Sequence, residues 1–390
     1  MGSALSTFND FMNSTGPAFL TSAEDLVNEA VKNKYLLRRF LKGSDMARTI
    51  QGGQKIKDEI MFDEESTRQH YQPNETFTWQ NPQVLSEWEV DWRFQVDHMS
   101  WSDQEIELNI GGGLGRTARH QAYKRVKRTK EMRLWTSFLN GMEDDLFGVS
   151  DYDEMEDSGG KQPYSLPVFI NEYTNGTPKG ADGTTWATDT VEGIDCSANA
   201  KWRNQAISYD NTDAGTSAAD LFSAMDEMYH KVRFDQLPTK EEFSDGTSGA
   251  QFIACSLNGL KYYQKQLRSS QDTFVAAGRQ DPSYISPKYA GIDLVYVSNL
   301  DTAALYTSGA ATLQTETGDT TNDTGPRYYW INGKYISPVF HTKRYMYRHP
   351  VMTHPNQPFT HVQPVDCWHN LICRSRQRQG IVFPSTDITL

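Results

Sequence analysis

Apolar and polar residues alternate between Glu87 and Val96 without a break. Trp88, Val90, Trp92, Phe94 and Val96 take one side, and Glu87, Glu89, Asp91, Arg93 and Gln95 the other. Successive side chains of a strand point to opposite faces, so the pattern predicts a single β-strand with one apolar face. A looser alternation through Ile56, Ile60 and Phe62 predicts a strand over 55–63, and one through Ile106, Leu108 and Ile110 predicts a strand over 105–110. The stretch 71–79 also reads as β, interrupted by Pro73-Asn74. After the glycine run at 111–115 the period changes. Tyr123, Val126, Trp135, Phe138, Leu139, Met142 and Leu146 form a stripe with steps of three and four, which predicts a long helix over 117–147. Near the amino terminus, Ser22 is placed to cap a helix carrying Leu26, Ala30, Val31, Leu37 and Leu41, which Gly43 stops. One helix in so long a stretch cannot close a core, so this part reads as an arm.

Beyond the long helix the pattern is mixed. A short strand is predicted over 167–173, a turn-rich loop over 176–185, and a helix over 218–232 with Leu221, Met225 and Met228 on one face. Buried strands are predicted at 251–257 and 291–298 around a helix near 260–271. Residues 307–325, rich in Thr, Gly and Asp, read as an exposed loop. The tail returns to strands at 328–331, 336–340 and 368–373. Helices and strand blocks that fall in separate groups argue for an α+β fold and against an alternating βαβ wheel.

The 390 residues suffice for two or three domain-sized units. A formal charge of −12 argues against general affinity for nucleic acid, which needs local positive charge. That charge is unevenly placed. The first half of the long helix carries Arg116, Arg119, Lys124, Arg125, Lys127, Arg128, Lys130 and Arg133, and its far end runs into Glu143-Asp144-Asp145 and the acids between 151 and 157. This polarity opposes the helix macrodipole, which favours acids at the start and bases at the end, so another constraint is selecting it. Cys196, Cys255, Cys367 and Cys373 are scattered without a CxxC pair and read as reduced thiols. No basic stretch followed by an apolar one opens the chain, so no secretion signal is expected. No run of about 18 apolar residues occurs, so no membrane contact is expected either.

Candidate chemistry is sparse. The glycine run lacks the Lys-Ser/Thr of a phosphate-binding loop and reads as a hinge between strand and helix. His341, His349, His354, His361 and His369 lie near Cys367 and Cys373, but their loose spacing, with Pro350, Pro355, Pro358 and Pro364 between them, does not suit a metal site. Neither GxSxG nor HExxH occurs, and the acidic runs read as solvated charge. Catalysis, a cofactor and a metal are therefore not expected. The aromatic strand differs in kind. Burial of Trp88, Trp92 and Phe94, with Trp101 nearby, would contribute on the order of 10–19 kcal/mol at most. A second copy of the chain, or the long helix of the same chain, would cover them. The candidate inter-subunit residues are thus Trp88, Trp92, Phe94 and Trp101, with Arg116, Arg119, Lys124, Arg125 and Arg128 placed to meet acids on a neighbour. The alternative for those cations is a nucleic-acid-binding protein that uses the basic helix face.

Three stretches carry a family resemblance: Asp103-Gln104-Glu105-Ile106-Glu107-Leu108-Asn109; Thr190-Val191-Glu192-Gly193-Ile194-Asp195 followed by Trp202-Arg203-Asn204-Gln205; and Asn370-Leu371-Ile372-Cys373-Arg374-Ser375-Arg376-Gln377-Arg378-Gln379-Gly380. With the order of elements, they make the chain resemble the major capsid proteins of tailed bacteriophages, with the Hong Kong 97-type coat fold. The resemblance implies an N-terminal arm (1–51), an extended β-hairpin loop (52–110), a peripheral domain (111–217 and 327–390) with a spine helix at about 116–147, and an apical domain (218–326). It also implies self-assembly as pentamers and hexamers into an icosahedral head around double-stranded DNA, enclosed without sequence recognition. The loop would lie over a neighbouring subunit and the spine helix would straighten as the shell expands. The implied partners are further copies, portal, scaffold and decoration proteins. The implied location is the virion capsid, assembled in the cytoplasm of a bacterial host.

Overall fold

A computed structural model of the protein describes residues 35–42, 47–62, 68–73, 75–76, 79, 85–108, 116–147, 161–170, 173–174, 177–178, 190–196, 199–209, 220–232, 251–270, 287–300 and 326–384. The cap at Ser22 and the helix expected up to residue 34, the glycine hinge at 111–115, the acids between 151 and 157 and the loop at 307–325 lie outside the described residues, as does most of the loop expected at 176–185.

In chain order the first elements are α1 (Tyr35–Lys42), β1 (Arg48–Ile50), β2 (Lys55–Met61), β3 (Leu85–Asp91), β4 (Arg93–Ser102), α2 (Asp103–Leu108), α3 (Arg116–Asp145) and α4 (Leu166–Phe169). The middle of the chain adds β5 (Tyr173–Thr174), β6 (Thr177–Pro178), β7 (Thr190–Val191), β8 (Ile194–Asp195), β9 (Gln205–Tyr209), α5 (Leu221–Val232), β10 (Gln251–Cys255), α6 (Leu257–Ser270), β11 (Lys288–Tyr289) and β12 (Ile292–Tyr296). The carboxyl-terminal part adds the strands β13 (Tyr328–Asn332), β14 (Ile336–His341), β15 (Tyr347–Arg348), β16 (Met352–His354), β17 (Gln357–Cys373) and β18 (Gly380–Pro384). The architecture is mixed helix and sheet, an α+β fold.

The described chain forms two compact units. One takes Phe94–Glu143 and His341–Trp368. Here the long strand β17 is the common partner of β4, β15 and β16. Tyr347 and Arg348 pair with Asp366 and Val365, and Met352 and Thr353 with Val362 and His361, before a register shift at His354. Of the stripe expected on α3, Val126, Phe138, Met142 and Leu146 are buried, and Leu134, outside that stripe, is buried where Trp135 is only half-buried. A Cβ on Gly141 would stand 3.2 Å from the Gln95 side chain, so the helix passes close to β4 at a position that leaves little room for a larger residue. Of the strand expected at 105–110, the described residues 105–108 lie in the helix α2 instead. Three alternating apolar residues are too short a pattern to decide. The Ser102-x-x-Glu105 capping box does decide, since Ser102 Oγ accepts the Glu105 N–H at 3.2 Å.

The other unit takes Tyr35–Arg93, Asp144–Phe340 and His369–Leu390. Its main sheet has the order β11-β12-β10-β13-β18-β9. Strand β10 runs parallel to β12 and antiparallel to β13, and β18 runs parallel to β9. The sheet thus draws strands from both sides of position 326. Leu221, Met225 and Met228 of α5 and Tyr262 and Tyr263 of α6 join Ile253, Tyr328, Trp330 and Val382 in one core. Gly380 is required where β18 passes under α5, because a Cβ there would run into the Met228 sulfur. The described end of the amino-terminal arm is tied to β10: Leu36, Leu37 and Phe40 are buried, with the Phe40 ring 5.9 Å from that of Phe252. The strand expected over 167–173 begins as the short helix α4, for which Pro167 near the first helical position is well suited.

The aromatic strand expected over 87–96 is two strands. β3 pairs with β2 over a seven-residue register from Lys55↔Asp91 to Met61↔Leu85. β4 pairs with β17. Trp92 belongs to neither ladder, and its indole N–H donates to the Gly53 carbonyl at 3.0 Å. Because the pairing partner changes there, so does the inward parity. Trp88 and Val90 are buried before the break, Met99 and Trp101 after it.

Candidate functional site

The four aromatic candidates separate. Trp88, Trp92 and Trp101 are only 1%, 7% and 3% exposed within the single chain. No neighbour is needed to cover them: of the two covers open to them, packing within the chain buries all three. Trp101 shares a small core with Met99, Ile106 and Val126, its ring 6.1 Å from Tyr123. Phe94 is 64% exposed even though its ring meets Trp368 edge-on at 4.9 Å, and Val96 beside it is exposed too. Of the four, Phe94 is the one that offers surface.

Other apolar surface was not legible in the sequence. On and beyond the β2–β3 hairpin, Met61, Tyr71, Trp79 and Leu85 are exposed, Trp79 by 90%. Around β16 and the start of β17, Val351, Met352 and Phe359 are exposed. They are scattered among polar residues and prolines, and spacing alone does not mark them as exposed. The outer face of the hairpin is a ladder of ions. Lys55 reaches Glu89 at 2.7 Å, and Lys57 reaches Glu87 at 2.8 Å and Glu89 at 3.0 Å. These hydrogen-bonded pairs hold the Glu89 carboxyl below, and both lysines above, their ordinary values.

The basic half of α3 is part paired and part open. Lys130 reaches Glu105 of the same chain at 3.3 Å, and Lys127 lies 5.9 Å from the Tyr123 ring. Arg133 donates to the His98 carbonyl at 3.5 Å. Glu131 pairs with Arg348, whose guanidinium lies 5.0 Å from the Trp135 ring. Lys124, Arg125 and Arg128 are exposed. Arg116 and Arg119 lie in the helix, but their side chains are outside the described residues. The acidic end departs from the expected solvated block. Glu143 is 1% exposed, and burial, then the neighbouring Asp144, push the Asp145 carboxyl up to about 6.

The histidines meet separate partners. His361 lies 3.3 Å from Asp103 and His349 3.3 Å from Asp366. The His341 Nδ1 accepts the Lys343 N–H at 3.2 Å, and His369 stacks on Phe340. Among the described residues no group of three or more His, Cys, Asp or Glu is placed to hold a metal ion. All four cysteines are buried thiols, and burial pushes Cys367 up to about 11.

The motifs behind the resemblance act on structure. Glu192 and Gly193 form the positive-φ turn of β7–β8, and the buried Trp202 donates its indole N–H to the Val191 carbonyl at 3.2 Å. In the closing segment, Arg376 is fully buried and donates from Nε to the Phe169 carbonyl at 3.1 Å. Gln379 closes a two-way pair with the Asn332 backbone at 2.8 and 3.2 Å.

No protein-family model matches this sequence, and no curated protein matches it. Solved structures do. The chain is similar to the Cyanophage A-1(L) capsid with a TM-score of 0.55 and 13% identity, covering 95% of this chain and 99% of that one. For the capsid of the native GTA particle the TM-score is 0.53 at 8% identity, with 99% and 100% covered. For the capsid of Cyanophage P-SCSP1u it is 0.50 at 13% identity, with 94% and 93% covered. Nearly end to end, the chain therefore carries the tailed-phage major capsid protein fold.

Proposed function

We propose that this chain is a major capsid protein: a structural subunit, not an enzyme, that assembles with copies of itself as pentamers and hexamers into an icosahedral virion shell around double-stranded DNA. The observation that carries this reading is the two-way coverage of the similarity to capsid subunits. Exposed apolar side chains on the β2–β3 hairpin and around β16 support it, because isolated subunits gain from covering such surface. In this reading the hairpin is the extended loop that lies over a neighbour, α3 is the spine helix, and the sheet that contains β10 and β12 belongs to the apical part. Phe94 and the cations Lys124, Arg125 and Arg128 are contact residues between copies. Portal, scaffold and decoration proteins are the further partners, and assembly takes place in the cytoplasm of a bacterial host.

Charge supports self-contact as well. Residues 94–143 and 341–368 hold eleven Lys and Arg against seven Asp and Glu, in a chain whose total is −12. The rest of each copy is thus strongly acidic, and opposite charge steers copies together. Sedimentation velocity at rising concentration, with and without a scaffold partner, tests the proposal. The expected result is five- and six-subunit species and larger ones, weakened when Lys124, Arg125 and Arg128 are all changed to Glu. A 44.3 kDa monomer under every condition would overturn it. The exposure of these same three cations favours a second reading, as a nucleic-acid-binding protein. DNA affinity that falls steeply with salt and vanishes in the triple variant, without self-association, would establish that reading instead.

A further inference from the structure

Eight Lys and Arg stand between positions 116 and 142 of α3 against one acid, Glu131. No Lys or Arg follows from 134 to 160, and the run Asp151-Tyr152-Asp153-Glu154-Met155-Glu156-Asp157 puts five acids into seven residues. Charges in this order run against the helix macrodipole, so the helix itself does not select them. Lys124, Arg128, Glu131 and Trp135 recur at steps of four, three and four and so share one face of α3. Glu131 is paired with Arg348, whose guanidinium also lies 5.0 Å from the Trp135 ring. The one acid on the face is thereby matched, by a cation from the stretch 341–365, which contains no acid at all. Lys124 and Arg128 continue the face toward the start of the helix, with Arg125 beside them, and all three are exposed. Among the described residues no carboxylate pairs with any of the three.

Within one chain the acid run is tethered at the other end of α3. It follows the carboxyl end of the helix, and the chain returns to that end, where the Leu166 N–H donates to the Leu146 carbonyl at 2.9 Å. With the rise of an α-helix, Arg128 lies about 26 Å back from Asp145 and Lys124 about 32 Å. A segment tied at both ends would have to be pulled almost taut to span either distance, at about 3.5 Å per residue. A second copy carries the same run with no such tether to this helix. Its charge is opposite and dense, whereas DNA would have to approach a chain of net charge −12.

We propose that the Lys124–Arg128 face of one copy, with Arg125 and Arg348 at its borders, binds the acidic run 151–157 of the next copy. The inference rests on the self-assembly reading and names the partner of these cations. The giving and receiving surfaces are different parts of the chain, so the contact is head to tail. Contacts of that kind close into rings when the rotation between copies divides the circle, as in five- and six-subunit species. The basic half of α3 and the acids beyond it then serve two different neighbours, which accounts for a polarity that the helix alone does not favour.

Sedimentation velocity of two charge-reversed full chains tests this. One carries Lys124→Glu, Arg125→Glu and Arg128→Glu, and the other Asp153→Lys, Glu154→Lys and Glu156→Lys. Each alone should need about tenfold more protein to associate, or still more, since like charges then face each other. Mixed in equal amounts they should form six-subunit rings again but not five-subunit ones, because only an even ring can alternate them. Both sets placed in one chain should restore both sizes. Restoration in that chain but not in the mixture would put the contact inside one copy and overturn the inference. Association untouched by the acid-run reversal would overturn it as well, and a short DNA duplex lost on stripe reversal would then give the cations to nucleic acid. An unaltered chain that stays a single subunit throughout overturns the assembly reading too, so the two failures differ. Should circular dichroism show that a variant does not fold, a synthetic peptide of residues 149–159 replaces it. The peptide should inhibit association of the unaltered chain, and absence of inhibition overturns the contact.

Discussion

Asp145 sits at the carboxyl end of α3, where the last carbonyls already present negative partial charge. Burial and the neighbouring Asp144 raise its carboxyl to about 6, so the folded chain holds this proton more tightly than the unfolded chain does. The stabilisation is complete below the ordinary value of 3.8 and is lost as pH rises through about 6. Asp145→Asn should therefore stabilise the subunit at neutral pH by up to about 3 kcal/mol, and should change little at pH near 4. Thermal melts of both proteins across that range check this, and equal shifts at every pH would contradict it. The aromatic residues give a second contrast. Trp88→Ala removes a fully buried ring and should cost the subunit about 3–5 kcal/mol, visible as an early melting transition. Phe94→Ala acts on exposed surface and should leave melting and circular dichroism close to those of the unaltered chain while weakening association. Equal destabilisation by the two changes would contradict the burial described for them.

At the scale of elements, the capping box that makes α2 a helix gives a prediction of its own. Ser102→Ala removes the acceptor of the Glu105 N–H and should cost about 1 kcal/mol, with faster hydrogen exchange confined to 103–108. Unchanged exchange there would show that packing of Ile106 alone fixes the helix. Elements with several periods of pattern were legible in the sequence. The stripe on α3, the Leu221-Met225-Met228 face of α5 and the apolar runs of β10, β12, β13 and β14 all lie where the residues indicate. What escaped depends on partners distant in sequence. The alternation through Trp92 continues unbroken, and only the change of partner from β2 to β17 splits it. The length of β17 was hidden because its first half carries Pro358 and Pro364 and earns its place by pairing with β15 and β16. The candidate site followed the same rule. The basic run on α3 could be read directly, whereas the burial of Trp88 and Trp101 and the exposure of Trp79 and Phe359 are set by tertiary packing that spacing alone does not encode.

For the whole molecule, similarity in fold at 8–13% identity means that packing geometry is shared while most side chains are not. The residues that tie the hairpin base to the closing strand, among them Glu192 and Asn370, are buried and polar, and so they fix orientation more than they add bulk stability. Outside that framework the chain leaves single large apolar side chains and an uneven charge on its surface, the attributes expected of a subunit completed by its neighbours. Electron microscopy of the purified chain, concentrated alone or co-expressed with a scaffold partner, is the most direct test. The account predicts five- and six-fold rings, sheets of them or closed shells. Uniform single subunits, with no ring, sheet or shell under any of these conditions, would contradict it.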